Sequence, residues 1–341
     1  MSDTYREAPI VTLTPAPTLD RTYYVHDLVE GGVNRADSVA EELAGKGINV
    51  TRGLFLAGIN APGVVPIGNA DPGVLTRTGY SDMLIPLWVE GTLRVSTTMV
   101  IKDGATTKVN EGPRPLSGED WNAVVDLTVQ TVRDLGAKWL VVGGALPINK
   151  STGEYVDLTS LFDSMDEMGV RVALDTSGTP LSVWSRSGRP KIIKPNAHEL
   201  ASAVGRTLET VGDVIDAARE LCDHGIDAVL ASMGVDGILA VTKTSAISAK
   251  TDRVKVINTV GAGDATLAGF LSYVATHEAG NGPSVYGVGF DLANGIKTGV
   301  QWGASKVTQP TSGLRSLDNL PASYLDEFPD RNKKLEEPAL A

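Results

Sequence analysis

This 341-residue chain has one cysteine, four histidines, few aromatic residues (5%) and no surplus of cationic ones. A lone Cys222 cannot close an intramolecular disulfide, which fits a reducing compartment and makes a cytoplasmic location the expectation. His26, His198, His224 and His277 include no pair at metal-ligand spacing, so no zinc site is expected. No apolar run approaches the ~18 residues of a membrane helix, and Met1–Pro9 lacks the basic-then-apolar order of a leader, so no membrane partner is expected. With 30 Lys and Arg against 41 Asp and Glu, the net charge is −11; no basic stripe is there to track a phosphate backbone, and nucleic acid is not an expected partner. An acidic balance leaves an anionic small molecule open, because local lysines and arginines decide that. Internal repeats and low-complexity tracts are absent too.

The chain is rich in glycine (37 residues) and 42% hydrophobic, enough to bury a large core. Apolar runs of strand length recur: 10–13, 139–144, 170–175, 191–194 and 228–232, several ending in glycine or a polar residue. Helical patterns fill the intervals at about 117–135, 155–168, 196–204 and 208–224. Strands alternating with helices predict an α/β protein with a mainly parallel sheet covered on both faces. Ligands of such sheets sit beyond the carboxyl ends of the strands, where Asp175, Lys194, Asn196 and Ser232 fall. Two segments, 21–30 and 88–101, read as half-exposed strands with no crossover helix, a small antiparallel flap. The polar tail from Ser323 onward reads as peripheral.

Four clusters carry chemistry. Asn258-Thr259-Val260-Gly261-Ala262-Gly263-Asp264 sets a glycine-rich turn at the mouth of a helix, with a carboxylate in its first turn. Backbone N–H groups and the helix N-terminus favour an anion there. An Asp beside such a nest repels a phosphate but can take a proton from a hydroxyl attacking one; close helix–strand packing is the plainer use of the glycines. Gly45-Lys46-Gly47 is not a P-loop, since the GxxxxGK[ST] spacing fails. Lys46 either meets a phosphate or is solvated at a helix start. In Lys194-Pro195-Asn196-Ala197-His198-Glu199, Asn196 and Glu199 have capping-box spacing, which is a sufficient role, and the alternative is steering of magnesium through water. Ser232-Met233-Gly234-Val235-Asp236-Gly237 is either a hairpin with Asp-Gly turn chemistry or the lining of a nucleotide site.

In this order and spacing the clusters resemble the ribokinase-like (PfkB) carbohydrate kinases over residues 10–314. The likeness is strongest to the phosphosugar branch, which includes 1-phosphofructokinases and tagatose-6-phosphate kinases. Leu13-Thr14-Pro15-Ala16-Pro17-Thr18-Leu19-Asp20-Arg21-Thr22 looks like that branch's T-P-N-P-x-L-D-R-T; residues 45–50 match its G-K-G-I-N-V, Gly144–Pro147 its G-S-L-P, and 194–199 its K-P-N-x-x-E. The resemblance implies one ribokinase-like kinase domain, a three-layer sandwich with a small β lid at about 14–34 and 88–112. It implies Asp264 as the base and Gly261, Ala262 and Gly263 as the anion hole. Asp20, Gly45, Lys46, Asn49 and Arg94 fall to the sugar phosphate, Arg94 on its existing phosphate. Lys194, Asn196, Ser232, Gly234 and Gly237 fall to ATP, and Glu199 with Asn196 to magnesium through water. Ala16, Ser96, Ala145 and Asn258 depart from the pattern, the first two within the expected sugar pocket.

The expected activity is ATP-dependent phosphorylation of a ketohexose phosphate, D-fructose 1-phosphate first. Tagatose 6-phosphate, fructose 6-phosphate and other sugars remain alternatives within the family. Outside it stand a nucleotide-binding regulator without catalysis and a dinucleotide oxidoreductase, the latter opposed by the lack of G-x-G-x-x-G after the first strand. Tyr23, Tyr24 and Trp88 point to a homodimer through the lid, or to residues that cover the site in a monomer.

Overall fold

The computed structural model describes residues 7–102, 106–277 and 286–341; residues 103–105 of the expected lid lie outside that set. In chain order the first elements are β1 (Ile10–Leu13), β2 (Thr18–Val25), β3 (Ala36–Ala44), α1 (Lys46–Leu56), β4 (Gly63–Gly68), α2 (Val74–Thr78) and β5 (Leu84–Val89). Next come β6 (Arg94–Ile101), β7 (Thr106–Asn110), α3 (Gly118–Leu135), β8 (Trp139–Gly143), α4 (Thr159–Glu167), β9 (Arg171–Asp175) and α5 (Gly178–Ser187). They are followed by β10 (Ile192–Ile193), α6 (Ala197–Val204), β11 (Leu208–Thr210), α7 (Val211–Asp223), β12 (Ala228–Ser232), β13 (Ile238–Val241) and β14 (Ala246–Thr251). The last are α8 (Ala262–Val274), α9 (Leu292–Val307), β15 (Ser323–Asp326) and β16 (Lys334–Ala339).

Ten strands form one sheet in the order β15-β14-β13-β12-β10-β9-β8-β1-β4-β5. Pairing is parallel from β12 through β5 and antiparallel from β12 out to β15. Because successive strand side chains point to opposite faces, each apolar strand feeds two cores. Val11, Leu13, Leu140 and Val142 join the core under α3, α4, α6 and α7, whereas Ile10, Trp139 and Val141 join the one under α1, α8 and α9. This is the three-layer sandwich expected, with the parallel strands buried on both sides.

The helices start where local chemistry supplies a cap. Ser117 accepts from the Asp120 N–H, and Asn196–Glu199 and Thr210–Asp213 form complete capping boxes. The helix expected at 155–168 begins only at Thr159, whose N–H is held by the Asp157 carboxylate at 2.6 Å. The one expected at 208–224 surrenders 208–210 to a strand ahead of the Thr210 cap.

The flap is a four-stranded sheet, β3-β2-β6-β7, and it is not wholly antiparallel: β2 pairs parallel with β6. Both strands leave the main sheet in the same sense, one beyond β1 and the other beyond β5, and each has its antiparallel partner outside it. Trp88 does not belong to this sheet; it lies in β5, paired in register with Ile67. The polar tail is structured rather than peripheral. β15 extends the main sheet, and β16 pairs with β11 while Lys333 Nζ and Glu336 N–H both bind the Asp236 carboxylate (2.6 and 2.9 Å). Cys222 is buried, and burial pushes its thiol up to about 12. No helix among the described residues is long and apolar enough to cross a membrane.

Candidate active site

Gly45 and Gly47 bring α1 onto the strand ends. A Cβ on Gly45 would lie 2.5 Å from Thr14 Cγ2, and one on Gly47 would strike the Thr14 hydroxyl. Only glycine permits that approach, and it plants Lys46, the first residue of α1, above the carboxyl ends of β8 and β9. There the Lys46 ammonium meets Asp175 Oδ1 at 2.6 Å and Glu199 Oε1 at 3.5 Å. Lys194, at the end of β10 and almost fully buried, meets Asp175 Oδ2 at 3.2 Å. Burial alone favours a neutral Asp175, but the Lys194 and Lys46 charges prevail and hold its carboxyl below the usual range. Burial likewise opposes the Lys46 charge, and Asp175, Glu199 and Asp264 outweigh it and raise the ammonium's pKa.

The second half of the site is the turn before α8. Gly261 caps the helix at φ 79°, and a Cβ there would run into the Ser312 carbonyl, so the position tolerates only glycine. The N–H groups of Gly261, Gly263 and Asp264 have no acceptor among the described residues, while the Ala262 N–H is taken by the Thr259 carbonyl at 3.2 Å. Three free donors at a helix N-terminus are groups that can receive an anion. The Lys194 ammonium borders it, 2.8 Å from where a Gly263 Cβ would be.

Asp264 is 7% exposed, and its Oδ2 accepts from Asn49 Nδ2 at 2.7 Å. Burial, then the Asp175 charge, push its carboxyl up to about 6, against the pull of Lys46, Asn49 and Lys194. Asp264, Asn49, Lys46, Asp175, Lys194 and Glu199 thus form one linked cluster, drawn from α8, α1, β9, β10 and α6.

The other expected residues lie around it. Asp20 on β2 stands in register with Glu42 and Ser96, and burial with the Glu42 charge pushes it up to about 6, Arg94 and Lys108 opposing. Arg94 spends three donors on the carbonyls of Ala16, Pro17 and Glu111 (2.9, 3.3 and 3.2 Å), leaving two of its five N–H groups. It borders a cavity of about 310 Å³ shared with Arg114 and Lys150. Asn196 uses its carboxamide as the cap of α6. Ser232 is bridged to Asn196, and Gly234 and Gly237 bracket the hairpin turn between β12 and β13, both at positive φ. The hairpin reading of 232–237 therefore holds. Asn258 acquires a role the sequence does not reveal: its carboxamide ties the Val260 N–H (2.9 Å) to the Pro310 carbonyl (2.8 Å) across the base of the turn.

Asp175 was legible only as a polar strand end, although it is the hub of the cluster. Lys306 on α9 carries no sequence signal at all, yet it lies fully buried beneath the turn.

The profile described as "pfkB family carbohydrate kinase" matches residues 15–318. The chain belongs to the pfkB family of carbohydrate kinases. Among its relatives are the 1-phosphofructokinase of Haloferax volcanii, 34% identical over 77% of this chain and 83% of that one, and the 1-phosphofructokinase of Escherichia coli, 30% identical over 77% and 83%. Of solved structures, phosphofructokinase-2 from E. coli in complex with potassium superposes with a TM-score of 0.79 at 26% identity, covering 91% of this chain and 96% of that one. A Thermotoga maritima structure at 18% identity and TM-score 0.75, covering 94% and 99%, shares the fold.

Proposed function

We propose that this pfkB kinase transfers the γ-phosphoryl group of ATP to a phosphorylated ketohexose, taking D-fructose 1-phosphate to fructose 1,6-bisphosphate. The observation that carries the reading is the juxtaposition of a buried, hydrogen-bonded Asp264 with three free N–H donors and the Lys194 ammonium. Phosphoryl transfer asks mainly for positioning and for stabilisation of spreading charge, and these groups supply both. The phosphofructokinase relatives support the acceptor.

In this reading the acceptor hydroxyl lies against Asp264, whose ionised carboxylate takes the proton as the oxygen attacks phosphorus in line. Asn49 fixes the carboxylate's orientation. The N–H groups of Gly261, Gly263 and Asp264, together with Lys194, receive the transferring phosphoryl oxygens. Asp20 and Arg94 hold the sugar phosphate from the small sheet, with Gly45 and Lys46 facing it from α1. On the ATP side stand Asn196, Ser232, Gly234 and Gly237.

Magnesium supplies neutralisation of the β- and γ-phosphate oxygens when bound. No group of three carboxylate, histidine or cysteine side chains among the described residues could cage it. Asp175 is closed by two lysines, and Glu199 shares its oxygens with Lys46 and the Asn196 N–H (2.8 Å). That donor set fits an ion carried by the nucleotide and reached by Glu199 through water.

A homodimer through the small sheet fits the face on which Tyr23, Val39 and Met99 stand in one row, with Val39 half exposed. A second acceptor, fructose 6-phosphate, is favoured by the likeness to E. coli phosphofructokinase-2, whose structure in complex with fructose-6-phosphate superposes with a TM-score of 0.75. A coupled ADP-release assay over fructose 1-phosphate, fructose 6-phosphate, tagatose 6-phosphate and free hexoses tests the reading. Highest kcat/KM on fructose 1-phosphate is expected; turnover confined to unphosphorylated hexoses would refute it.

A further inference from the structure

The described residues contain one lysine with no exposed surface, Lys306 in the last turn of α9. Its ammonium donates to the Asn258 carbonyl at 3.0 Å and makes no ion pair among the described residues. A buried ammonium with so few partners is costly unless its charge serves something. Its location is specific. Gly299 and Gly303 press α9 against α8, where Cβ atoms would meet the Thr266 carbonyl and hydroxyl. The N–H groups of Ile257 and Asn258 bind the carbonyl of Val307, the residue after Lys306 (2.7 and 3.1 Å). The same Asn258 ties Val260 to Pro310. Lys306 therefore sits at the back of the turn whose front presents the Gly261, Gly263 and Asp264 N–H groups.

We infer that Lys306 is a tethered cation for this turn. Its ammonium grips the Asn258 carbonyl from behind, fixing the 258–263 backbone, and places a full positive charge under the donors that meet the transferring phosphoryl group. It touches neither substrate, so it is a positioning residue. Burial pushes its pKa down to about 8, with Asp264 and Glu42 holding it up, so the side chain stays largely protonated at neutral pH. A covalently attached ammonium does the work that a dissolved monovalent cation could do at such a carbonyl, without needing to be bound from solution.

The inference rests on the assignment of phosphoryl transfer to the 261–264 turn, and the test separates the two. Steady-state kinetics are measured for the wild type, Lys306→Met and Asp264→Asn in potassium, ammonium and tetramethylammonium salts of equal ionic strength, with melting temperatures alongside. Methionine fills the same space without charge. Three results are expected. Wild-type kcat is the same in all three salts. Lys306→Met loses roughly 10- to 100-fold in kcat, less than the 10²–10³ of a direct donor, with KM values little changed. Potassium or ammonium restores part of that loss and tetramethylammonium, too large for the vacated space, does not.

Wild-type kcat in Lys306→Met, while Asp264→Asn is inactive, overturns the role of Lys306 alone. Normal turnover in Asp264→Asn overturns the site reading beneath it. A Lys306→Met protein that is slow, melts lower and responds to no cation shows a packing role and also overturns the inference. Should that variant be insoluble, the wild type decides: indifference to the salt supports the tethered cation, and a large loss of kcat in tetramethylammonium overturns it.

Discussion

Asn49 and Asp264, 215 residues apart in sequence, share a hydrogen bond of 2.7 Å at the centre of the site. Asn49 lies three residues after Lys46 on α1, one helical turn on. A single helix therefore both orients the Asp264 carboxylate and anchors the ion network of Asp175 and Glu199.

Replacing Asp264 by Asn removes the proposed proton acceptor and leaves the donors of the turn in place. A loss of roughly 10²–10⁴ in kcat is expected, with ATP affinity by calorimetry within a few-fold of wild type. Near-normal turnover would rule out Asp264 as the base.

Activity should fall on acidification through about pH 6, where Asp264 takes up a proton. Asp20 is raised to the same range, so an Asp20→Asn variant should keep the fall in kcat while losing the part seen only in sugar KM. Stability runs the other way. The folded pKa of Asp264 lies above its ordinary value of 3.8, so its stabilising contribution is full below that value and is lost as pH rises through about 6. Asp264→Asn should accordingly melt at or above the wild-type temperature at pH 8, with the difference shrinking toward pH 4. A melting point well below wild type at pH 8 would contradict the sign.

Asp175→Asn leaves the buried Lys194 without its ion-pair partner, while the partly exposed Lys46 keeps Glu199 at 3.5 Å. The unpaired charge should cost about 3–5 kcal/mol in urea titration, the penalty for removing one partner of a buried pair. Since Asp175 is held below the usual carboxyl range, its contribution is present above that range and disappears as pH falls through its lowered pKa. An unchanged urea midpoint at pH 7 would show that Lys194 finds another partner.

Arg94→Ala should raise KM for a phosphosugar far more than for a neutral hexose, because the two N–H groups left free by its three backbone bonds are those able to reach a phosphate. An equal effect on both acceptors would mean that the arginine only braces the carbonyls of Ala16, Pro17 and Glu111.

Gly261→Ala has to move either the φ 79° cap or the Ser312 carbonyl. A stability loss of about 1–3 kcal/mol is expected for the strained position, with kcat falling as the donors shift. Wild-type kinetics would mean the turn adapts without displacing them.

Much of this was legible in the sequence, for local reasons. Strands such as 139–143 declare themselves by unbroken apolar runs, and helix starts at Asn196 and Thr210 by capping boxes. The 261–264 turn is visible because glycines and a carboxylate are adjacent in the chain. What stayed hidden depends on pairings between distant segments. The parallel pairing of β2 with β6 is set by where two strands leave the main sheet, and the closure of β16 on β11 and Asp236 joins the tail to residues about 100 earlier. Asp175 looks like any strand-ending aspartate until Lys46 and Lys194 arrive on either side of it. Lys306, in an amphipathic helix, reads as a solvated side chain.

The small sheet is built into the main body by its own connections. Its four strands are each continuous with the main body, through residues 14–17, Gly45, 90–93 and 111–116, and Arg94 cross-links two of those connections. It is bound like a page along its whole spine rather than hung from a single pivot. Any displacement must be divided among all four connections, one of which is the residue immediately before Lys46. A displacement of the sheet would thereby be passed to the helix that carries Lys46, whose ammonium holds Asp175.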